Sequence, residues 1–255
     1  MLRFHIRPDA NHGVGVAFTD RLGGVTPGAM GSLNLGRSDE DDPERVLANH
    51  RRLAEALGLG PVMVSHQVHG DRVWTVGPAD VEGWTPRRIL GDRVPGQDPL
   101  PVADAIVTDL PGVACAIRVA DCLPVVLADV GRHVVASAHA GRAGLLGGVL
   151  PATVARMREL GATTILGWVG PHICGRCYEV PEEMARQVWA DHPATETTTR
   201  WGTPGLDLGA EALAQLADLG VEAVGLDPCT LEDEDLFSHR RDPDSGRMVG
   251  LVWTT

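Results

Sequence analysis

Lysine is absent from this 255-residue chain, so every fixed positive side chain is an arginine. The 22 arginines stand against 34 acidic residues, for a formal charge of −12. No Arg-rich run reverses that balance locally, and an acidic surface repels a phosphate backbone. Nucleic acid is therefore set aside as the main partner, and any anion site has to be built from Arg, His, backbone N–H groups or a metal. Also missing is an uninterrupted apolar run approaching the roughly 18–20 residues of a membrane span. The opening residues, MLRFHIRPDANHG, contain no apolar core of a secretory leader. The expectation is a cytoplasmic protein without a membrane partner; nothing in the residues points to a protein partner.

Cysteine is sparse and odd in number: Cys115, Cys122, Cys174, Cys177 and Cys229. With 44% hydrophobic and 22% charged residues the chain has ordinary globular usage. At this length it buries a core without staples, so reduced thiols are expected, and a bound metal would serve chemistry rather than architecture. Cys174-x-x-Cys177 lacks a second such pair to complete a structural zinc site and follows Gly-Pro rather than opening a helix. It reads as plain thiols lining a site.

What is present is the pattern of a single α/β domain over 1–255, with mixed sheets flanked by helices. Asp42-Pro43-Glu44 reads as a helix start, with Val46, Leu53 and Leu57 as its apolar face and Gly58 as its stop. Residues 62–76 read as two short strands interrupted near His69-Gly70. The stretch 82–102, rich in Gly and Pro and without periodicity, reads as a surface loop or insertion. ADAIVTDL, VACAIRVADCLPVVLAD and HVVASAHAG are strand-length apolar runs. The run around Cys122 is continuous, as in a strand buried on both faces. Helices are expected at 145–160, 181–191 and 207–219. EAVGLD reads as a last core strand, and FSHRRDPDSGRMVGLVW as a turn-containing edge element.

Three strings place a metal-capable side chain beside glycine or at a strand end: SHQVHGDRV, VADCLPV and SAHAGRAG. Imidazole and thiolate are the donors zinc prefers, and three protein ligands leave a fourth position open. His69, Cys122 and His139 are the candidates, lying where loops at strand ends commonly gather a site. Their spacing alone proves nothing, since it is not that of a local metal finger.

Specificity comes from a resemblance. QVHG, ADA-x-V-T (103–108), ADCLPVVLAD (120–129), HAG-x-x-GL (139–145), GP-x-I-x-x-x-CYEV (170–180), LDL (206–208) and FS-x-RR (237–241) follow one another as in the YfiH-like family. The opening TDRLGGVTPGAMGSLNLG (19–36) is similar too, so the likeness runs over roughly residues 17–250. That family was once described as multicopper polyphenol oxidase or laccase and is associated with purine nucleoside phosphorylase activity. The resemblance implies a fold of stacked mixed sheets related to the cytotoxic necrotizing factor catalytic domain. It also implies one catalytic Zn2+ on His69, Cys122 and His139. Substrates implied are adenosine, inosine, guanosine and methylthioadenosine, cleaved with phosphate, together with deamination of adenosine. One branch of the family is a peptidoglycan-precursor-editing amidase. The family's usual HAGWRGL is HAGRAGL here, so Arg142 stands in place of Trp and Ala143 in place of Arg, which moves any phosphate contact to Arg142. The QVHG register selects His69 rather than His66.

Around that trio, Asp104 and Asp121 are candidates to orient a ligating imidazole, and Asp121 and Glu179 to move protons. Arg21, Ser32 and Asn34 sit among glycine turns that let backbone approach a nucleoside or phosphate. Arg240 and Arg241 suit surface salt bridges. The competing reading is a hydrolase with Cys122 as nucleophile and His139 as base. Copper-dependent phenol oxidation is less favoured: multicopper sites rely on His-x-His pairs and the chain has none. Copper at the trio would be adventitious.

Overall fold

The computed structural model describes residues 1–36, 41–226 and 228–255. Its N-terminal third holds strands β1 (Leu2–Ile6) and β2 (Val14–Thr19), helix α1 (Pro43–Leu57), β3 (Val62–Met63), β4 (Val73–Thr75) and the short α2 (Pro78–Val81). The middle supplies β5 (Ala105–Thr108), β6 (Ala114–Val119), β7 (Leu123–Asp129) and β8 (Val134–Ala140), then α3 (Arg142–Leu146), α4 (Val149–Glu159) and β9 (Leu166–Val169). Beyond these come α5 (Glu182–Asp191), β10 (Glu196–Thr198), β11 (Pro204–Leu206), α6 (Leu208–Asp218), β12 (Glu222–Gly225) and β13 (Met248–Thr254).

Two mixed sheets result, ordered β1-β2-β13-β6-β3 and β12-β9-β7-β8-β5-β4, with β10 and β11 as a separate antiparallel pair. They stack because alternate residues of one strand serve two layers. In β7, Leu123, Val125 and Leu127 pack toward α3, α4 and α6. Val126 and Ala128 meet Val16 and Phe18 of β2 and Val252 of β13 between the sheets. The far face of the five-stranded sheet is covered by Val46, Leu47 and Leu53 of α1. The α/β single-domain expectation with stacked mixed sheets is what the fold presents.

Helix α1 begins and ends as its sequence indicates: the Asp42 side chain accepts from Glu44 N–H at 2.9 Å, and Gly58 closes it at φ +65°. Four other expectations need correction. The helix expected at 145–160 is two, because Gly147 and Gly148 break it and Gly148 turns at φ +98°. EAVGLD is not a core strand: β12 is the edge of the six-stranded sheet and largely exposed. The chain's end is the reverse case. MVGLVWT forms β13, buried along its whole length at the centre of its sheet, as its unbroken apolar run required. The run around Cys122 is not one strand, since it breaks at residues 120–122 between β6 and β7 of different sheets. Residues 82–102 stay largely at the surface without α-helix or sheet strand, and the 3₁₀ segment Pro86–Arg93 buries Ile89 and Leu90, with Leu100, against α1. A cavity of about 440 Å³ beside Trp74, Trp84 and Leu100 lies there, apart from every candidate site residue.

One buried carboxylate ties together the loops at one end of the six-stranded sheet. Asp129, at the end of β7, accepts from the N–H groups of Gly131, Arg132, Thr163 and Thr164 at 2.9, 3.0, 2.6 and 2.8 Å. Burial raises its pKa, but these four donors outweigh that and hold it below the ordinary value. Its contribution is therefore complete above the unfolded pKa of about 3.9 and is lost as pH falls through the lower folded value. Asp129→Asn is expected to cost about 1.5–3 kcal/mol at pH 7. Denaturant unfolding followed into acid should show the gap closing only below pH 4.

Candidate metal centre

Asp104, just before β5, organises the site. Its buried carboxylate accepts from the N–H groups of Val68, His69 and Gly70 at 3.1, 2.9 and 2.8 Å. Three successive donors around one anion form a nest, and they hold His69 in the left-handed region at φ +62°, which L-residues seldom occupy. The same carboxylate takes the Nδ1 proton of His139 at 2.8 Å. His139 lies in β8 with its N–H on the Asp104 carbonyl at 2.7 Å, on the strand face that Val135 turns toward the other sheet. With Nδ1 engaged, Nε2 keeps its lone pair for a ligand.

Cys122 occupies the passage from β6 in one sheet to β7 in the other, opposite the end of β8, where Leu123 pairs with Ala140. Its Sγ is 3.7 Å from His69 Nε2, and the rings of His69 and His139 stand edge to face with centroids 4.7 Å apart. The donor atoms of His69, Cys122 and His139 all lie within 4.8 Å of one another, so the three could hold one metal ion. In a tetrahedral zinc site an N and an S ligand sit about 3.5 Å apart, which this spacing meets. His66 lines the same cleft but is not in the trio.

Gly141 makes the convergence sterically possible. A Cβ there would come within 2.6 Å of His69 Cδ2 and 3.1 Å of Cys122 Sγ. Gly141→Ala is expected to displace the His69 ring and weaken metal binding at least tenfold, with secondary structure kept. Metal titration monitored beside circular dichroism checks this.

Without a metal the three groups couple electrostatically. Burial raises the Cys122 thiol, but bonds to His139 and His69 overcome it and bring the thiol to about 6. Burial lowers His139, while Asp104 and Cys122 raise it to about 9. Burial likewise works against the Asp104 carboxylate, which His139 and the backbone donors hold below its usual range.

The ligands open into a cleft of about 560 Å³. Arg118 and Arg247 lie in its wall, with His66, His239 and Asp244. Arg118 is fixed by Gln67: the Gln67 amide donates to Arg118 O and accepts from Arg118 N–H, both at 2.8 Å. Its guanidinium donates to the Ser65 carbonyl. Burial lowers the pKa of Arg247, whose Nη1 donates to Ser245 O at 2.6 Å.

Several expected site residues sit elsewhere or do other work. Arg21 stacks on Phe237 at 4.7 Å and donates to Gly31 O and Ala29 O at 2.7 and 3.0 Å, so it braces a loop. Ser32 Oγ accepts from Gly24 N–H and donates to Arg21 O; neither residue lines the cleft. Asn34 does line it, but its amide is taken up by Asp41 at 2.8 Å and by Arg247 N–H at 3.0 Å, so it positions Arg247. Arg142, at the first turn of α3, is not in the cleft wall either. Asp121 has other partners than an imidazole among the described residues: its oxygens accept from Thr230 Oγ1 at 2.6 Å and Arg240 N–H at 2.7 Å. Glu179 is exposed and meets Arg240 only through its carbonyl oxygen. Among the described residues Arg241 makes no salt bridge of the expected kind; it gathers the carbonyls of Thr230, Leu231 and Asp233. Sequence reasoning passed over Arg118 and Arg247. For Arg118 the signal was there, a lone charge inside the apolar run VACAIRVADC.

A cleft with this His, Cys and His group at the crossing between two stacked sheets defines a candidate metal site. The chain belongs to the multi-copper polyphenol oxidoreductase laccase family, whose sequence profile matches residues 15–255. It is 47% identical over 250 residues to a purine nucleoside phosphorylase of Streptomyces coelicolor, covering 96% of this chain and 97% of that one. The purine nucleoside phosphorylase YfiH of Escherichia coli is 37% identical over 247 residues, covering 94% of each. The crystal structure of the Bacillus licheniformis hypothetical protein YfiH superposes with a TM-score of 0.84 at 26% identity, over 95% of this chain and 93% of that one. Among the described residues, no helix is long and apolar enough to cross a membrane.

Proposed function

We propose that this protein is a zinc-dependent purine nucleoside phosphorylase that also deaminates adenosine. The observation carrying the reading is the convergence of His69, Cys122 and His139 at the floor of a cleft walled by arginines. The names of the relatives support it. Adenosine, inosine, guanosine and methylthioadenosine are the substrates. In phosphorolysis a phosphate oxygen bonds to the sugar C1′ as the C1′–N9 bond breaks, and its electron pair leaves with the purine. Bound at the trio, zinc would supply Lewis-acid stabilisation of an atom gaining negative charge.

The chain's own residues do the rest. Arg118 and Arg247, held by Gln67 and Asn34, receive the phosphate, in place of the Arg142 that sequence alone suggests. Asp104 keeps His139 in the tautomer that presents Nε2. Proton transfer through Asp121 is disfavoured by its two fixed partners, and through Glu179 by its place outside the cleft wall.

Purified protein given inosine is expected to release hypoxanthine and ribose 1-phosphate only when phosphate is present. With adenosine, ammonia should appear without phosphate, and chelation should stop both reactions. Intact nucleosides in the presence of fully zinc-loaded protein would sink the reading. A second reading rests on the Cys122 thiol at about 6 beside His139 at about 9, a thiolate–imidazolium pair suited to hydrolysis. Such a hydrolase, or an amidase using the pair, would be spared or enhanced by the chelator. Copper-dependent phenol oxidation fits least well, because the trio supplies a single three-ligand group.

A further inference from the structure

The chain carries a second cluster of metal-ligating side chains, outside the cleft. Cys174 and Cys177 lie in the turn after β9, where Cys177 N–H and Tyr178 N–H both donate to Cys174 O at 2.9 and 3.0 Å. This tight turn points the two thiols to one side. Cys229 arrives from the far side of β12, paired to His172 as an isolated parallel bridge. Cys174 N–H donates to its Sγ at 3.3 Å. Glu232 follows one turn later, its N–H on Cys229 O at 3.2 Å. The ligand atoms of all four residues lie within 4.8 Å of one another.

We propose that Cys174, Cys177, Cys229 and Glu232 form a closed, structural zinc site. Four protein ligands of this kind, two from a C-x-x-C turn, are what such a site requires. Tetrahedral zinc sets thiolate sulfurs about 3.8 Å apart, so the cluster closes on an ion with a small contraction. Three mutually close sulfurs suit an ion better than a disulfide, which would join two and strand the third. The Cys174 N–H bond fixes Cys229 Sγ beside the C-x-x-C turn, and Arg200, 2.9 Å from Glu232, offsets the negative charge of the set. The expectation that this chain has no architectural use for a metal is thereby revised.

The site has a task. Residues 228–247 contain no helix or strand, yet they give the cleft His239, Asp244 and Arg247. They also grip Asp121, beside Cys122, through Thr230 and Arg240. Long irregular segments need anchoring, and an ion binding Cys229 and Glu232 to the turn after β9 supplies it.

Metal analysis of Cys122→Ser tests this, because that variant lacks the cleft site and keeps the second one intact. One zinc per chain after desalting is expected, against two in the wild type. Iodoacetamide labelling read by mass spectrometry should find Cys174, Cys177 and Cys229 protected until a chelator is added. Glu232→Gln in the same background should weaken zinc at least tenfold in chelator competition. A Cys122→Ser protein without zinc, thiols labelled equally with and without chelator, or a disulfide among the three would each overturn the proposal. Unchanged affinity in the Glu232 variant would overturn the four-ligand set. None of these readouts depends on nucleoside turnover, so they stand apart from the cleft's proposed activity.

Discussion

Cys122→Ala is expected to empty the cleft of metal and lower phosphorolysis by at least about 10³-fold, equivalent to some 4 kcal/mol of barrier. The variant leaves two imidazoles, one of them the exposed His69 on a loop, where three donors had closed around one point. Changes merely next to a ligand cost about 10–100-fold, so losing the only thiolate must cost more. The small side chain fits, since Cys122 packs at the edge of the Ile117, Phe237 and Met248 cluster without filling it. Metal content and turnover, measured on the same preparation, decide the matter. Loss of both together supports metal chemistry; lost turnover with zinc retained would transfer the role of Cys122 to nucleophile.

Asp104→Asn is expected to weaken metal binding about 10–100-fold and to destabilise the fold by about 3 kcal/mol. Oδ2 faces the N–H groups of Val68 and Gly70, while Oδ1 faces His69 N–H and His139 Nδ1. An amide NH₂ in the first position meets two backbone donors. In the second it turns away the His139 proton, which then moves to Nε2 and occupies the lone pair the ion needs. The pH dependence follows from the folded pKa values. Asp104 is depressed, so its share of stability is complete above about 3.9 and is lost as pH falls through its folded value. In the metal-free protein His139 is raised to about 9, so its ionic share is complete below about 6.5 and is lost as pH rises through about 9. Wild type and variant should therefore differ most near neutrality and converge in strong acid. Chelator competition and denaturant unfolding across pH measure both effects.

Much of this was legible in the residues. Cap chemistry placed α1, and apolar runs marked β7 and β8, but the run around Cys122 reads as one strand although it breaks there between β6 and β7 of different sheets. The trio was found because its motifs occur in order, although periodicity could not bring His69, Cys122 and His139 together across three elements. What escaped had a physical reason. Arg21 and Ser32 sit in turns as glycine-rich as a binding loop, and only their hydrogen-bond partners reveal a bracing role. Asp104 was among the residues expected to orient a ligating imidazole, and it does meet His139; only its added reach to the His69 loop depends on β5 pairing with β8, which no local pattern encodes. Cys229 and Glu232 escaped because no spacing rule links them to Cys174-x-x-Cys177. The tail was misread because the turn-rich SHRRDPDSGR preceding it drew attention from the seven apolar-dominated residues of β13.

The position of Cys122 at the step between the two sheets makes the cleft a gauge of the whole molecule. Its neighbours on one side belong to β6 and on the other to β7, so the sulfur keeps its distance to His69 only while both sheets hold their stacking. An ion that binds only this arrangement favours the native state by mass action. At a hundred times its dissociation constant it adds about 2.7 kcal/mol. Melting temperature should then climb with free zinc, and a substitution deep between the sheets, far from any ligand, should register first as a weakened grip on the metal.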